Sequence, residues 1–446
     1  MFKRVLWTLL AIIAIGIIGL FALAWRPGIS EITPPAAGTF PSDLVARGEV
    51  LAGVGNCTAC HTASQQAPYA GGYAMQTGFG TLYSSNITPD PETGIGRWSE
   101  AAFTRAMREG VARDGSHLFP AFPYDHFSLV TDEDIKALYA YLMTRTPVKR
   151  ANKAPDIPFP LNVRALQAGW KLLFIRDGEY GIRRGETVAG KSAEWNRGAY
   201  LAEGLGHCSA CHSPRNKLGA ERTGDARYDG AVVDNWYAPP LNARSKAPMP
   251  WTPAELFAYL RSGATALHGS AAGPMSEVVH GSLSKLSDAD VRAIATYYAG
   301  WFGTEGKTAA DSATILARVL STSAIGNQQT ADPGSTLYNG ACASCHYNRA
   351  PTPLEQRPDL GLNSALVADD PSTLIQVILH GVSVEDGIPG MMMPGFSHSF
   401  SDAQIAELAA WLRRTRTDRP PWPDLQARVA ELRRASTQTT AKGSAP

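Results

Sequence analysis

The sequence predicts a mainly α fold, with three tandem helical domains behind an N-terminal transmembrane helix. Three observations predict it. The motif C-x-x-C-H occurs three times, as "CTACH" from Cys57, "CSACH" from Cys208 and "CASCH" from Cys342, spaced 151 and 134 residues apart. An apolar-periodic helix leads into each motif, and a capped amphipathic helix follows well downstream. The chain opens on a long uncharged apolar run. At 446 residues it is long enough for about three ordinary domains, each with its own core.

The opening run, residues 1–27, comes first. No charge falls between Val5 and Trp25, a stretch of 21 residues, and a membrane-spanning helix needs about 20. Lys3 and Arg4 precede it, so the positive-inside rule puts the N-terminus in the cytoplasm and the rest of the chain outside. A cleaved signal peptide is the competing reading. Ala22-Leu23-Ala24 resembles a cleavage site, but the apolar core of a signal is usually only about 7 to 15 residues. The length favours a retained anchor in the inner membrane, and either way the body is exported. No second span is expected downstream.

The motifs carry the chemistry. On a helical turn, residues i, i+3 and i+4 share a face, so Cys57, Cys60 and His61 point at one flat object. C-x-x-C-H is the attachment site of c-type haem: two thioether bonds to the macrocycle and one imidazole to the iron. Cys208, Cys211 and His212 would hold a second haem, and Cys342, Cys345 and His346 a third. A redox dithiol, half a zinc site or a structural disulfide would each explain two cysteines but not the repeated His. All 6 cysteines lie inside the motifs, leaving none for a disulfide framework. The expected cofactors are three covalently bound haems c.

Around the motifs the elements follow in order. The segments "SDLVARGEVLAGVGNCTACH", "AEWNRGAYLAEGLGHCSACH" and "GSTLYNGACASCH" are helices ending at the motif. The later helices are "TDEDIKALYAYLM" from Thr131, "SDADVRAIATYYA" from Ser287 and "SDAQIAELAAWLR" from Ser401, each opened by a hydroxyl cap with acidic residues nearby. A leading helix, a haem motif, a loop-rich middle and a closing amphipathic helix make the pattern of a class I cytochrome c. The expected domains are 41–145, 193–300 and 331–416. Their Gly- and Pro-rich middles should wrap the haem rather than form sheets. Of the linkers, 146–192 carries an apolar aromatic segment, read either as a helix packing on the first two domains or as an exposed patch for a partner or lipid. Residues 301–330 look like a polar connector, and the tail, 417–446, ends in the disordered-looking "STQTTAKGSAP".

A formal net charge of +1 with mixed signs throughout argues against a nucleic-acid partner. There is no Gly-rich phosphate loop, Rossmann fingerprint or serine-hydrolase elbow.

Each haem iron needs a sixth ligand, and a Met thioether raises the potential relative to a second His. Met275 in "AAGPMSEVV" lies in a Gly-Pro loop ahead of the second closing helix, whereas Met249 sits beside a turn and reads as packing. In "GMMMPGF", Met391, Met392 and Met393 compete. Met393 is the choice, because the residue before proline is pushed into extended backbone. The matching loop of the first domain, "HLFPAFPYDHF", has no Met; Met75, Met107 and Met143 lie elsewhere. His126 is the expected ligand there ahead of His117, with a surface or hydrogen-bonding role as the alternative.

With these residues in hand, the chain resembles the three-haem cytochrome c subunits of bacterial membrane-bound dehydrogenases. The resemblance runs over about residues 40 to 415. It is most specific in "YSSNITPDPETGIGRWSEAAFTRAMREGVARDG", in "FPAFPY" and in "GPMSEVVHGSLSKLSDADVRAIATYY". It implies an electron-transfer subunit in the periplasm on the inner membrane, partnered by a large catalytic dehydrogenase subunit and a small iron-sulfur subunit. Electrons would pass to ubiquinone or a terminal oxidase. In the alcohol and gluconate branches a Met stands where this chain has Phe122, so "PAFPYDHF" looks more like the branch accompanying molybdenum hydroxylases of aldehydes or N-heteroaromatics. A quinoprotein alcohol or flavin-dependent gluconate partner is the alternative. From other classes, a haem peroxidase would need a displaceable iron ligand with a distal acid-base group, and a freestanding electron shuttle would not need the anchor.

Overall fold

Three hydroxyl side chains start the three closing helices. Thr131 accepts from the Asp134 amide to open Asp132–Met143, Ser287 from the Asp290 amide to open Asp288–Phe302, and Ser401 from the Gln404 amide to open Asp402–Arg416. Each cap satisfies an amide that the first turn leaves unpaired, and the acidic residues in that turn complement the positive helix end. The structure, a computed structural model, describes residues 2–443 apart from 37, 64, 65, 177, 179, 327, 348–352, 356, 357 and 384–391.

The leading helices are Ser42–Val54, Ala193–Glu203 and Pro333–Ala341. They stop short of the motifs, where the sequence suggested continuous helices. The chain breaks and restarts as the one-turn helices Cys57–His61, Ser209–His212 and Ala343–His346. The first two breaks place Asn56 (φ 48°) and His207 (φ 34°) in the left-handed region, which redirects the backbone. The i, i+3, i+4 geometry survives because each restarted turn is itself helical.

A glycine lets each leading helix meet its closing helix. A Cβ on Gly48 would stand 2.0 Å from the Ala137 carbonyl oxygen, one on Gly198 1.9 Å from that of Ala293, and one on Gly334 2.2 Å from the Cβ of Trp411. Any side chain there must push the helices apart. Gly48→Ala and Gly198→Ala should therefore each destabilise the chain by about 3 kcal/mol, the upper end for overpacking a close contact. An unchanged denaturation midpoint would show that the helices do not meet at that point.

By internal contacts the chain forms two compact units. One holds Met1–Ala189, Tyr200–His207 and Arg215–Ala220; the other holds Gly190–Ala199, Cys208–Pro214 and Glu221–Pro446. Segments read as linker and tail are themselves folded. Residues 301–330 contain the helix Ala313–Gly326, which lies on Asp402–Arg416, rather than a plain connector. The tail also folds: Leu425–Gly443 is helical, and Trp422, Val429 and Leu432 join the core of Tyr338, Ile375, Ile405 and Trp411. The spacing of Leu425, Val429 and Leu432 is one helical stripe.

The loop-rich middles also contain short ribbons, where no sheets were expected. Ala74–Thr77 pairs with Gly80–Tyr83, Ala231–Val233 with Trp236–Ala238, and Ala264–Thr265 with Gly269–Ser270, all antiparallel. The second is closed by Asp234 and Asn235 at φ 49° and 65°, a two-residue turn whose twist matches that of the strands.

The linker 146–192 supplies the helix Leu166–Phe174, which packs on the N-terminal helix Phe2–Ala24. His117 ties them together: its Nε2 donates to the Ala24 carbonyl at 2.8 Å and its Nδ1 accepts from Lys171 Nζ at 3.0 Å. This needs a neutral ring. Burial holds the pKa of His117 below the ordinary 6.5, and the cations Lys171 and Arg26 push it the same way. As pH falls, the unfolded ring takes its proton first, so this tie is at full strength above pH 6.5 and weakens as pH drops toward the lower folded value. Hydrogen exchange should therefore show the Ile29 amide, bonded to the Arg113 carbonyl at 2.8 Å, losing protection on acidification below pH 6.5. Undiminished protection would remove His117 from this role.

Candidate functional site

Each C-x-x-C-H turn presents two thiols and one imidazole. All six cysteines are free of disulfides, and Cys60 and Cys345 are exposed. In every turn the His Nδ1 donates to a backbone carbonyl: His61 to Ser85 at 2.7 Å, His212 to Pro239 at 2.7 Å and His346 to Pro358 at 3.1 Å. That commits one ring nitrogen and fixes the tautomer, which leaves Nε2 as the nitrogen that could take a metal. Burial lowers the pKa of all three rings from 6.5, outweighing the opposing effect of the carbonyl, and keeps them neutral as iron ligation requires.

The ribbons position two of those carbonyls. Ser85 lies just beyond Gly80–Tyr83, and Pro239 follows Trp236–Ala238 directly. Behind each of these two turns, a tyrosine in the left-handed region reaches the closing helix. Tyr69 (φ 66°) meets the Tyr141 hydroxyl at 3.2 Å, and Tyr228 (φ 61°) meets that of Tyr298 at 3.1 Å. The His carbonyls take the next bond, from the Gly71 amide at 2.7 Å and the Gly230 amide at 2.8 Å. These paired tyrosines were not singled out from the sequence. Their offsets from the motif differ, so only the shared left-handed backbone and partner reveal the match.

Among the candidate sixth ligands, Met275 is half-buried at the start of the short helix Pro274–Glu277. It follows Gly273 (φ 56°), where a Cβ would stand 2.4 Å from the Trp236 ring. The ribbon that holds His212 through Pro239 thus also abuts the Met275 loop through Trp236. Met249, 1% exposed, is a packing residue. Met393 is half-buried and paired with Val382 in both backbone directions at 2.9 and 3.0 Å, while Met392 is 64% exposed. Met391 lies outside the described residues.

In the first loop the structure separates the two imidazoles. Both ring nitrogens of His117 are used structurally, as described above. His126 is fully buried on Tyr124–Phe127, its Nδ1 donating to the Glu203 carbonyl at 2.6 Å, the same arrangement as in the three motif histidines. Its ring stacks on Tyr180 at 4.2 Å. Phe122 packs edge-on against Phe127 at 5.2 Å. Met107 and Met143 are buried core residues, and Met75 pairs with Leu82 in the first ribbon.

The donor set fits haem c: thiols outside any disulfide for thioether bonds and neutral, carbonyl-held imidazoles for iron. Comparison with known proteins agrees. The cytochrome c family model matches residues 45–146 and 331–416, the segments that carry the first and third motifs. A nicotinate dehydrogenase subunit of Pseudomonas putida is 47% identical over 92% of this chain, which spans only 34% of that relative's length. The cytochrome c subunit of the quinone-dependent alcohol dehydrogenase of Gluconobacter oxydans is 34% identical, covering 94% of this chain and 89% of the relative. The gluconate 2-dehydrogenase cytochrome c subunit of Pantoea cypripedii is 35% identical, covering 90% and 92%. Likeness at that level along nearly the whole of two relatives places this chain in the family of cytochrome c subunits of dehydrogenases.

Proposed function

We propose that the chain carries three haems c in three tandem cytochrome domains, takes electrons singly from a catalytic dehydrogenase subunit and passes them to ubiquinone or a terminal oxidase. The observation that carries this is the threefold recurrence of a C-x-x-C-H turn with Nδ1 held by a backbone carbonyl. Bound haem c supplies reversible one-electron iron chemistry; the chain supplies attachment, spacing and potential. Cys57, Cys60, Cys208, Cys211, Cys342 and Cys345 form the thioether links. His61, His212 and His346 present Nε2 to iron, with Met275, Met393 and His126 opposite.

Phe2–Ala24, 23 residues long and exposed along most of its length, anchors the chain in the inner membrane with its folded body in the periplasm. The favoured catalytic partner is a molybdenum hydroxylase of an aldehyde or N-heteroaromatic, accompanied by a small iron-sulfur subunit. Phe122 and the higher identity to a nicotinate dehydrogenase subunit support that choice. A peroxidase would need an imidazole free to act as acid and base, and the burial and carbonyl bond of His126 count against that use.

The native complex, purified from detergent-solubilised membrane, tests the reading. The expected large subunit is a molybdenum hydroxylase whose substrate reduces the haem bands of this chain; a quinoprotein or flavoprotein would overturn the choice of partner.

A further inference from the structure

We propose that the helix Leu166–Phe174 and the Phe159–Leu161 turn before it form a second membrane contact, lying in the lipid surface beside the point where Phe2–Ala24 leaves the bilayer. The proposal rests on reading Phe2–Ala24 as a retained anchor.

The helix has two unlike faces. Its inner face grips folded protein: Lys171 Nζ donates to the Glu109 and Gly110 carbonyls and to His117, and Trp170 Nε1 donates to the Leu218 carbonyl at 2.9 Å. Beyond those contacts, Leu172 is 70% and Leu173 59% exposed, and in the turn ahead of the helix Phe159 is 81% and Leu161 42% exposed. Four large exposed apolar side chains on one short segment call for a cover.

The position of the patch names the cover. A Cβ on Gly169 would lie 3.9 Å from Leu20 Cδ1, so the helix runs against the last turn of Phe2–Ala24. Leu20 stands four residues before Ala24, about 6 Å along the axis at 1.5 Å per residue. The Ala24 carbonyl is in turn held by His117, which also takes Lys171. The exit of the span and the apolar patch are therefore fixed at one level, the boundary between headgroups and acyl chains. Trp25, 71% exposed, is a residue type that favours this depth. Arg26 follows the span by two residues, and Arg164 and Arg176 bracket the helix in sequence; all three are exposed and carry the positive charge that suits anionic headgroups.

The test is photolabelling of the full-length, haem-loaded chain in phosphatidylethanolamine and phosphatidylglycerol vesicles containing a phospholipid with a diazirine in its acyl chain. The expected result is lipid adducts at Phe159, Leu161, Leu172 and Leu173 as well as within Phe2–Ala24. Leu172→Ser with Leu173→Ser should cut the adducts at Phe159 and Leu161 about tenfold, since two exposed leucines provide much of the buried apolar area. Adducts in Phe2–Ala24 alone would overturn the second contact and leave the anchor intact. Adducts in neither segment would overturn both. In the native complex, loss of the patch adducts while those of the anchor remain would show that the catalytic subunit, not lipid, covers the patch, and would also overturn the proposal.

Discussion

Three haems per chain should be recovered in a pyridine haemochrome assay of the fully matured protein, and two after Cys208→Ala with Cys211→Ala. The second site is the most informative to remove, because the family model matches only the segments around the first and third. Without the two thiols, His212 alone would hold a haem through one coordinate bond. Acid-acetone extraction should then release any haem left there while the other two stay attached. The Cys57/Cys60 and Cys342/Cys345 pairs should each behave in the same way. A native ratio clearly below three, or haem lost from the native chain to acid-acetone, would remove the three-haem reading.

The three haems should also differ in potential, with the first lowest. Met275 and Met393 offer thioether, which favours ferrous iron relative to the imidazole offered by His126. Axial ligand identity alone spans about 0.8 V across haem proteins, so Met275→Leu and Met393→Leu should each shift one haem by on the order of 0.1 V and abolish its thioether ligation. His126→Ala should change one low-spin spectrum and leave two untouched. The third site holds a further influence in Arg416. It is 3% exposed, its guanidinium lies 4.5 Å from the Tyr338 ring and 4.6 Å from the Trp411 ring, and its charge acts on Cys342 and His346. A buried positive charge disfavours ferric iron, so Arg416→Gln should lower the third potential and leave the second unchanged. Spectroelectrochemistry reads all four variants. Three thioether-ligated haems in the native protein would instead rule out His126 as an axial ligand.

What was legible in the sequence is what depends on near neighbours. The proposed attachment residues follow from the i, i+3, i+4 spacing of Cys57, Cys60 and His61 and its two repeats, since helical geometry alone brings them onto one face. The starts of the closing helices follow from Thr131, Ser287 and Ser401, because capping acts within one turn. A tail helix was also readable, in the stripe of Leu425, Val429 and Leu432, had low-complexity residues further on not suggested disorder. The turn at Asp234 and Asn235 carried a hairpin signal of the same local kind.

Tertiary structure alone decided what depends on distant partners. That Gly48, Gly198 and Gly334 are crossing points is invisible until the closing helix arrives within 2.2 Å of the missing side chains. Sequence ranked His126 over His117 because aromatic residues flank it. Only the fold shows that Ala24 and Lys171 occupy both nitrogens of His117, while His126 sets its Nδ1 on the Glu203 carbonyl as the motif histidines do on theirs. Likewise Ser85, Pro239 and Pro358 have nothing in their identity to mark them as tautomer-setting acceptors. Any residue supplies a carbonyl, and only the path of the chain decides which one meets an imidazole.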